Sequence, residues 1–297
     1  TVMPMRVNQK DGEDLVLTSA CNYYAPGITQ QEAEKFYAGR KPANDPRPVM
    51  MGMNSRLVRD EFGNLSENVW RVGGLYGTAI ERIVYYLEKA RPFACTAEQQ
   101  TVIDRLIEYY RTGDLRTFDN YCIHWLKDTE SSVDFVNGFT ESYGDPLGMK
   151  ASWESLVNFK DVAATKRAET LSTNAQWFED HSPVDPRFKK EECKGVSAKV
   201  ITAAILGGDL YPSTAIGINL PNSDWVRRDF GSKSVTISNL TGAYAKASQG
   251  SGMDKEFVID NATRTLIATY GAACDDLHTD LHECLGHGSG RLLPGTD

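Results

Sequence analysis

Apolar residues recur at helical spacing across the first 130 positions. Ile80, Ile83, Val84 and Leu87 line one face of a helix predicted over 75–90, which Pro92 closes. Thr96 and Gln99 have capping-box spacing at the head of a second helix; Val102, Leu106 and Tyr109 form its stripe and Gly113 stops it. Leu115, Phe118, Cys122 and Trp125 predict a third helix, and an alanine-rich face predicts a fourth over 161–179. Strand patterns are fewer: 15–18, 133–139, 196–206 and the alternating run 234–238. Helices separate these strands, so the pattern predicts a mixed α+β fold and not a doubly wound sheet. Residues 248–252, Ser-Gln-Gly-Ser-Gly, read as a linker.

A further stripe runs through Tyr270, Cys274, Leu277, Leu281 and Leu285. It predicts a buried face and puts His282-Glu283-Cys284-Leu285-Gly286-His287 on the same helix. Two imidazoles flanking a carboxylate are the kit of metal-assisted hydrolysis: the rings hold Zn²⁺ and the carboxylate takes a proton from water. The usual spacing, H-E-x-x-H, sets the ligands about 40° apart around a helix. His282 and His287 are one residue further apart, which on a regular helix turns them about 140° from each other. For both to reach one ion, the extra residue must be absorbed in a π-type bulge or an unwound turn, least costly at Gly286. His278 has i,i+4 spacing to His282 and is a candidate ligand, but Thr279 follows it and is no base, so a solvated or supporting role fits it better. Gly286, Gly288 and Gly290 follow a helix and not a strand, which makes a poor phosphate loop.

Bulk properties narrow the classes. A chain of 297 residues can form one large domain or two ordinary ones. The formal charge of −8 argues against nucleic acid as a partner. No apolar run, including 200–206, approaches the roughly 18–20 residues of a membrane helix. The six cysteines include no C-x-x-C pair and predict reduced thiols in a cytoplasmic protein. The Asn64, Asn239 and Asn261 sequons would matter only in a secreted chain. The chain starts at Thr1 without a signal peptide, and residues 293–297 finish no element, so the expectation is a piece of a longer protein.

The run His282 to Gly290, HECLGHGSG, resembles the HExxGH signature of the dipeptidyl-peptidase III family of zinc exopeptidases. Gly138-Phe139-Thr140-Glu141-Ser142-Tyr143-Gly144-Asp145-Pro146 is similar to that family's GF-x-ESY-x-DP segment. Gly217-Ile218-Asn219-Leu220-Pro221-Asn222-Ser223-Asp224 is similar to its GIN-x-PN-x-D segment. The resemblance covers about residues 135–297. It implies that His282 and His287 ligate zinc and that Glu283 is the general base for attack by zinc-bound water. It implies that Tyr143 hydrogen-bonds the scissile carbonyl, and that Glu141, Asn219 and Asn222 hold the free amino terminus of an oligopeptide. The product would be a dipeptide, and the protein a monomer without nucleic-acid or membrane partners. The implied fold is two-lobed: a lower lobe with a β-barrel-like sheet plus helices (1–161 and 202–248) and a largely helical upper lobe with the zinc motif (162–201 and 249–297).

The chain departs from the family in lacking its third zinc ligand, a downstream histidine that helps stabilise the transition state, and the start of the lower lobe. The third zinc ligand there is a glutamate in a downstream E-E-x-R-A-D/E motif, and the chain ends before any such motif. Glu191-Glu192-Cys193-Lys194-Gly195 only looks similar; it lies upstream, lacks the Ala-acid pair, and is assigned to a solvated loop or helix end. The expectation is therefore that this stretch alone binds zinc weakly or not at all and is inactive. Two alternatives stand beside the peptidase: a non-catalytic module that binds peptide amino termini, and a helical domain with an incidental motif. The last requires a straight helix at 282–287 with the histidines facing apart.

Overall fold

The computed structural model describes residues 5–193, 196–212, 214–248 and 252–293. In chain order it contains α1 (Leu15–Thr18), α2 (Gln30–Ala38), β1 (Ser55–Arg59), β2 (Leu65–Val69), α3 (Gly77–Ala90), α4 (Ala97–Thr112) and α5 (Leu115–Lys127). There follow β3 (Val133–Glu141), β4 (Ser152–Lys160), α6 (Val162–Thr173), α7 (Ala175–His181), β5 (Val196–Gly208) and β6 (Gly217–Leu220). The last elements are α8 (Asp224–Phe230), β7 (Ser232–Ile237), α9 (Ser238–Ser248), α10 (Met253–Phe257) and α11 (Asn261–Leu281), with one π-helical turn, His282–Gly286, at the end of α11. The expected mixed α+β architecture is present. The chain divides into two compact units, one of residues 1–131, 137–154 and 222–229, the other of residues 132–136, 155–221 and 230–297.

The first unit is helical around an aromatic core. Tyr109, Tyr110, Phe118 and Tyr121 are buried where α4 packs on α5, and the Tyr109 and Phe118 ring centroids lie 4.8 Å apart. The Thr96 hydroxyl caps α4 as expected, accepting from the Gln99 N–H at 2.9 Å. The return half of the box shifts by one residue, because the Gln99 side chain accepts from the Cys95 N–H at 3.0 Å and not from Thr96. Gly113 ends the helix at φ +72°, the left-handed conformation that favours glycine. The segment Leu15–Thr18, expected as a strand, is a helical turn instead. The Asp14 carboxylate accepts from the Val16 and Leu17 N–H groups, and that local cap outweighs β propensity over four residues.

The second unit is built on a five-stranded sheet of order β3-β4-β5-β7-β6, to which β3 and β4 contribute residues 133–136 and 155–160. β5 and β7 pair in parallel and β6 and β7 antiparallel, with Asn219 opposite Ser234. Every residue of β7 is buried, so even Lys233 is enclosed, its Nζ 3.1 Å from Asp134 Oδ2. α6 lies along β5, where Ala168 and Val200 form a small core with Ala164, Leu171 and Leu285. The single helix expected over 161–179 is two, because Asn174, at φ −100°, turns its Nδ2 back to the Thr170 carbonyl and ends α6.

The stripe on α11 is not the buried face it was expected to be. Tyr270 is 59% and Leu277 43% exposed, and Cys274 is exposed too; only Leu281 and Leu285 are partly covered. The inward face of its last turns is polar, carrying buried Thr279 and Asp280, and Asp280 accepts from the Thr236 hydroxyl of β7 at 2.9 Å. Of the expected linker, Ser248 closes α9 and Gly252 opens α10, while 249–251 lie outside the described residues. Cys21, Cys95, Cys122, Cys193 and Cys274 are free thiols. Among the described residues no helix is long and apolar enough to cross a membrane.

Asp119 on α5 generates a pH-dependent prediction. It is buried, its Oδ2 lacks a hydrogen bond, and the Arg116 guanidinium approaches only to 3.5 Å. Burial pushes its carboxyl up to about 7, against the smaller opposing effects of Arg116 and Trp225. The unfolded chain therefore loses this proton first. The penalty is absent below about pH 4, grows as pH rises, and is complete above about pH 7, with an upper bound of roughly 4 kcal/mol. Asp119→Asn is expected to raise stability in denaturant titrations by at least ~1 kcal/mol at pH 8 and by clearly less at pH 5.

Candidate metal centre and peptide-binding cluster

The candidate metal centre forms where α11 changes its winding. The His287 N–H donates to the His282 carbonyl at 3.1 Å, an i→i+5 bond, and the Ser289 N–H returns to i→i+4 spacing on the Leu285 carbonyl at 3.0 Å. The turn between them absorbs the additional residue. The two imidazoles are brought onto one side, with ring centroids 4.8 Å apart and planes at 84°. A straight helix with the histidines facing apart is thereby excluded. One ligand atom from each of His282, Glu283 and His287 lies within 4.8 Å of the others. The two ring nitrogens form a donor pair that suits zinc, with the Glu283 carboxylate beside them.

Glu283 lies between the exposed His282 and His287 of the cluster yet is itself only 5% exposed. Its Oε2 is buried without a hydrogen-bond partner, and burial alone raises its carboxyl to about 7. An uncompensated buried carboxylate is costly to stability, which is typical of a group kept for chemistry and not for packing. Its main chain is well held: the Ser234 hydroxyl donates to the Glu283 carbonyl at 2.7 Å.

Asn219, expected in substrate binding, is buried in this same unit. Its Nδ2 donates to the Ser234 hydroxyl at 2.6 Å and lies 3.2 Å from the Ser232 hydroxyl and 3.4 Å from the Glu283 carbonyl. His278 is exposed on α11 and lines a separate groove of about 520 Å³ against α9, apart from the histidine pair. Glu191 is at the surface in an ion pair with Arg291 at 3.6 Å, as expected of a solvated loop end. The glycines after His287 hold no phosphate loop: the Gly288 carbonyl accepts from Lys190 Nζ at 2.6 Å, and the Gly290 N–H donates to the buried Glu179 carboxylate. Glu179 also accepts from the Lys190 N–H at 2.7 Å, so one carboxylate anchors two chain segments beside the metal turn. No spacing in the sequence singles it out.

Glu141, Asn222 and Tyr143 lie in the other unit. Asn222 Nδ2 donates to Glu141 Oε2 at 3.1 Å and to the Thr140 carbonyl at 2.9 Å, fixing the residues before α8 to the end of β3. That use of the amide nitrogen leaves its Oδ1 as the acceptor face. Burial raises the Glu141 carboxyl, while the Asn222 hydrogen bond and the Arg227 guanidinium oppose the rise. Arg227 is partly desolvated and interacts with Asp224, Glu141 and Tyr143. It was not legible from spacing; its one signal is a position three residues beyond Asp224, on the helix that the GIN-x-PN-x-D run leads into. Tyr143 is 84% exposed. A carboxylate and an amide oxygen side by side are acceptors for an ammonium group.

The family model described as Peptidase family M49 matches residues 53–297. Dipeptidyl peptidase 3 of Mus musculus is 27% identical over 278 residues, covering 93% of this chain and 36% of that protein. Dipeptidyl peptidase 3 of Homo sapiens is 29% identical over 241 residues, covering 81% of this chain and 32% of that protein. The solved structure of DPP III from Caldithrix abyssi superposes with a TM-score of 0.73 at 21% identity, over 97% of this chain and 54% of that chain, which supports the fold. The chain thus spans about a third of the length of these curated relatives.

Gly286, expected to be where winding changes at least cost, is the last residue of the π turn. A Cβ built there meets no atom within 4 Å, and Gly286 is absent from the positions with positive φ. Gly286→Ala is therefore expected to leave stability within about 0.5 kcal/mol of the parent, or slightly above it. A loss of several kcal/mol in denaturant unfolding would show that the π turn does require glycine.

Proposed function

This chain belongs to peptidase family M49, and on that premise we propose that the protein is a zinc-dependent exopeptidase that releases dipeptides from the free amino end of oligopeptides. The observation that carries the proposal is the convergence of His282 and His287 on one side of a π turn, around the buried Glu283 carboxylate. Because the chain spans about a third of its relatives, the activity is proposed for the protein at its encoded length.

His282 and His287 would hold the ion through ring nitrogens. Zinc, when bound, supplies a Lewis acid that acidifies water and polarises a carbonyl. Glu283 would take the proton from the attacking water on its carboxylate and deliver it to the leaving amine. Its burial raises its proton affinity, which favours accepting that proton. The exposed Tyr143 hydroxyl would donate to the substrate carbonyl oxygen as negative charge develops there. Glu141 and the Asn222 amide oxygen would accept from the substrate ammonium, and Arg227 beside them favours the ionised Glu141 that this requires. Asn219 is proposed to contribute to the same recognition, although its Nδ2 is committed to Ser234.

Zinc stoichiometry and hydrolysis of a dipeptidyl-naphthylamide, on the protein at its encoded length, test the reading. About one zinc per chain and release of the dipeptide are expected, with activity abolished by a chelator and restored by zinc. Metal binding without hydrolysis would favour the peptide-binding module instead. In that protein Glu283→Ala is expected to retain zinc while kcat falls by about 10²–10⁴-fold. Turnover that survives the substitution rules out Glu283 as the base.

A further inference from the structure

Strands β6 and β7 meet Glu283, one at its side chain and the other at its main chain. Gly217 opens β6. A Cβ added there would stand 2.3 Å from Glu283 Oε1, 2.6 Å from Cδ and 2.7 Å from Cγ. No real Cβ approaches so closely, and the atoms it would strike are the carboxylate itself. Gly217 is absent from the positions with positive φ, so its backbone conformation would accept alanine; an added Cβ would be accommodated only by displacing the Glu283 side chain. This glycine is required for the room it leaves and not for its flexibility.

The main-chain contact comes from β7. Ser234, buried in the middle of that strand, donates its hydroxyl to the Glu283 carbonyl at 2.7 Å. Asn219 stands opposite Ser234 on the β6–β7 ladder and donates to the same hydroxyl at 2.6 Å, which leaves the Ser234 proton to point at Glu283. Two residues along β7, Thr236 donates to Asp280 Oδ1 at 2.9 Å, fixing α11 just before the winding changes. Carbonyls near a helix end need partners from outside the helix. Here the sheet supplies one at the residue whose side chain must be held.

We propose that Gly217 and Ser234 are positioning residues for Glu283. The bare Cα of Gly217 forms the slot that the carboxylate occupies, and the Ser234 hydroxyl, oriented by Asn219, fixes the carbonyl behind it. The GIN segment therefore has a second role besides any contact with peptide: it shapes the space around the acid–base group. The catalytic meaning of this proposal rests on the reading of Glu283 given above, while the packing itself does not.

A double-substitution cycle read by thermal unfolding tests the packing without metal or substrate. Gly217→Ala is expected to lower Tm by roughly 3–6 °C in the parent chain, because it overpacks a filled slot. In the Glu283→Ala background the clash partner is gone, and the same change is expected to leave Tm unchanged or raise it, since alanine restricts the unfolded chain more than glycine does. An equal loss in both backgrounds overturns the proposal. If Gly217→Ala does not fold, recovery of folding in the double variant supports the proposal, and failure of both overturns it. In the active protein, Gly217→Ala is expected to lower kcat about 10²-fold, and Ser234→Ala about 10-fold, with KM and zinc content held. Zinc lost in parallel with activity would assign both residues to general support of the turn. The absence of any hydrolysis by the parent protein would instead remove the function reading and leave the thermal cycle to decide the packing.

Discussion

One main-chain hydrogen bond determines what the end of this chain can do: His287 N–H to the His282 carbonyl, spanning five residues where an α-helix spans four. With four-residue spacing throughout, the imidazoles would lie on nearly opposite faces. With the longer bond they share a side, and the intervening Glu283 is turned into the protein. An unusual winding is tolerated only where surrounding contacts compensate for it. Here they come from several directions. Leu285 packs on the Ala168–Val200 core, Ser234 and Asn219 hold the Glu283 carbonyl, and Glu179 and Lys190 tie down Gly290 and Gly288 beyond it.

Those contacts also explain a mismatch in polarity. A helix that ends a domain core is expected to turn an apolar face inward. The last turns of α11 instead bury Thr279, Asp280 and Glu283, and leave Tyr270 and Leu277 exposed. The polar face makes hydrogen bonds to β6 and β7, which align the turn more narrowly than apolar packing would. Stability near the motif is given up in return: one carboxylate oxygen of Glu283 stays buried without a partner, and its proton affinity rises as a result.

Much of this was legible in the sequence, and the parts that were not share a cause. The helices of the first unit announced themselves through local signals, the Thr96 cap and the Gly113 stop among them, because each works within a few residues. The winding defect followed from counting five positions between His282 and His287. The failures came where a nearby or distant partner outweighed pattern. Asp14 made Leu15–Thr18 a helix, and Asn174 divided the helix expected over 161–179. The burial of Asp280 depends on Thr236, far away in the chain. Gly217 and Arg227 likewise carry no local mark of their neighbours; Gly217 is legible only once Glu283 is found against it.

X-ray absorption at the zinc edge of the zinc-loaded protein tests most directly whether the π turn is a metal centre. The parent protein is expected to show two imidazole nitrogens at about 2.0–2.1 Å from zinc, and His287→Ala only one. A spectrum with a single imidazole, or one that His287→Ala leaves unchanged, would contradict the central claim that the lengthened turn exists to bring these two rings to one ion.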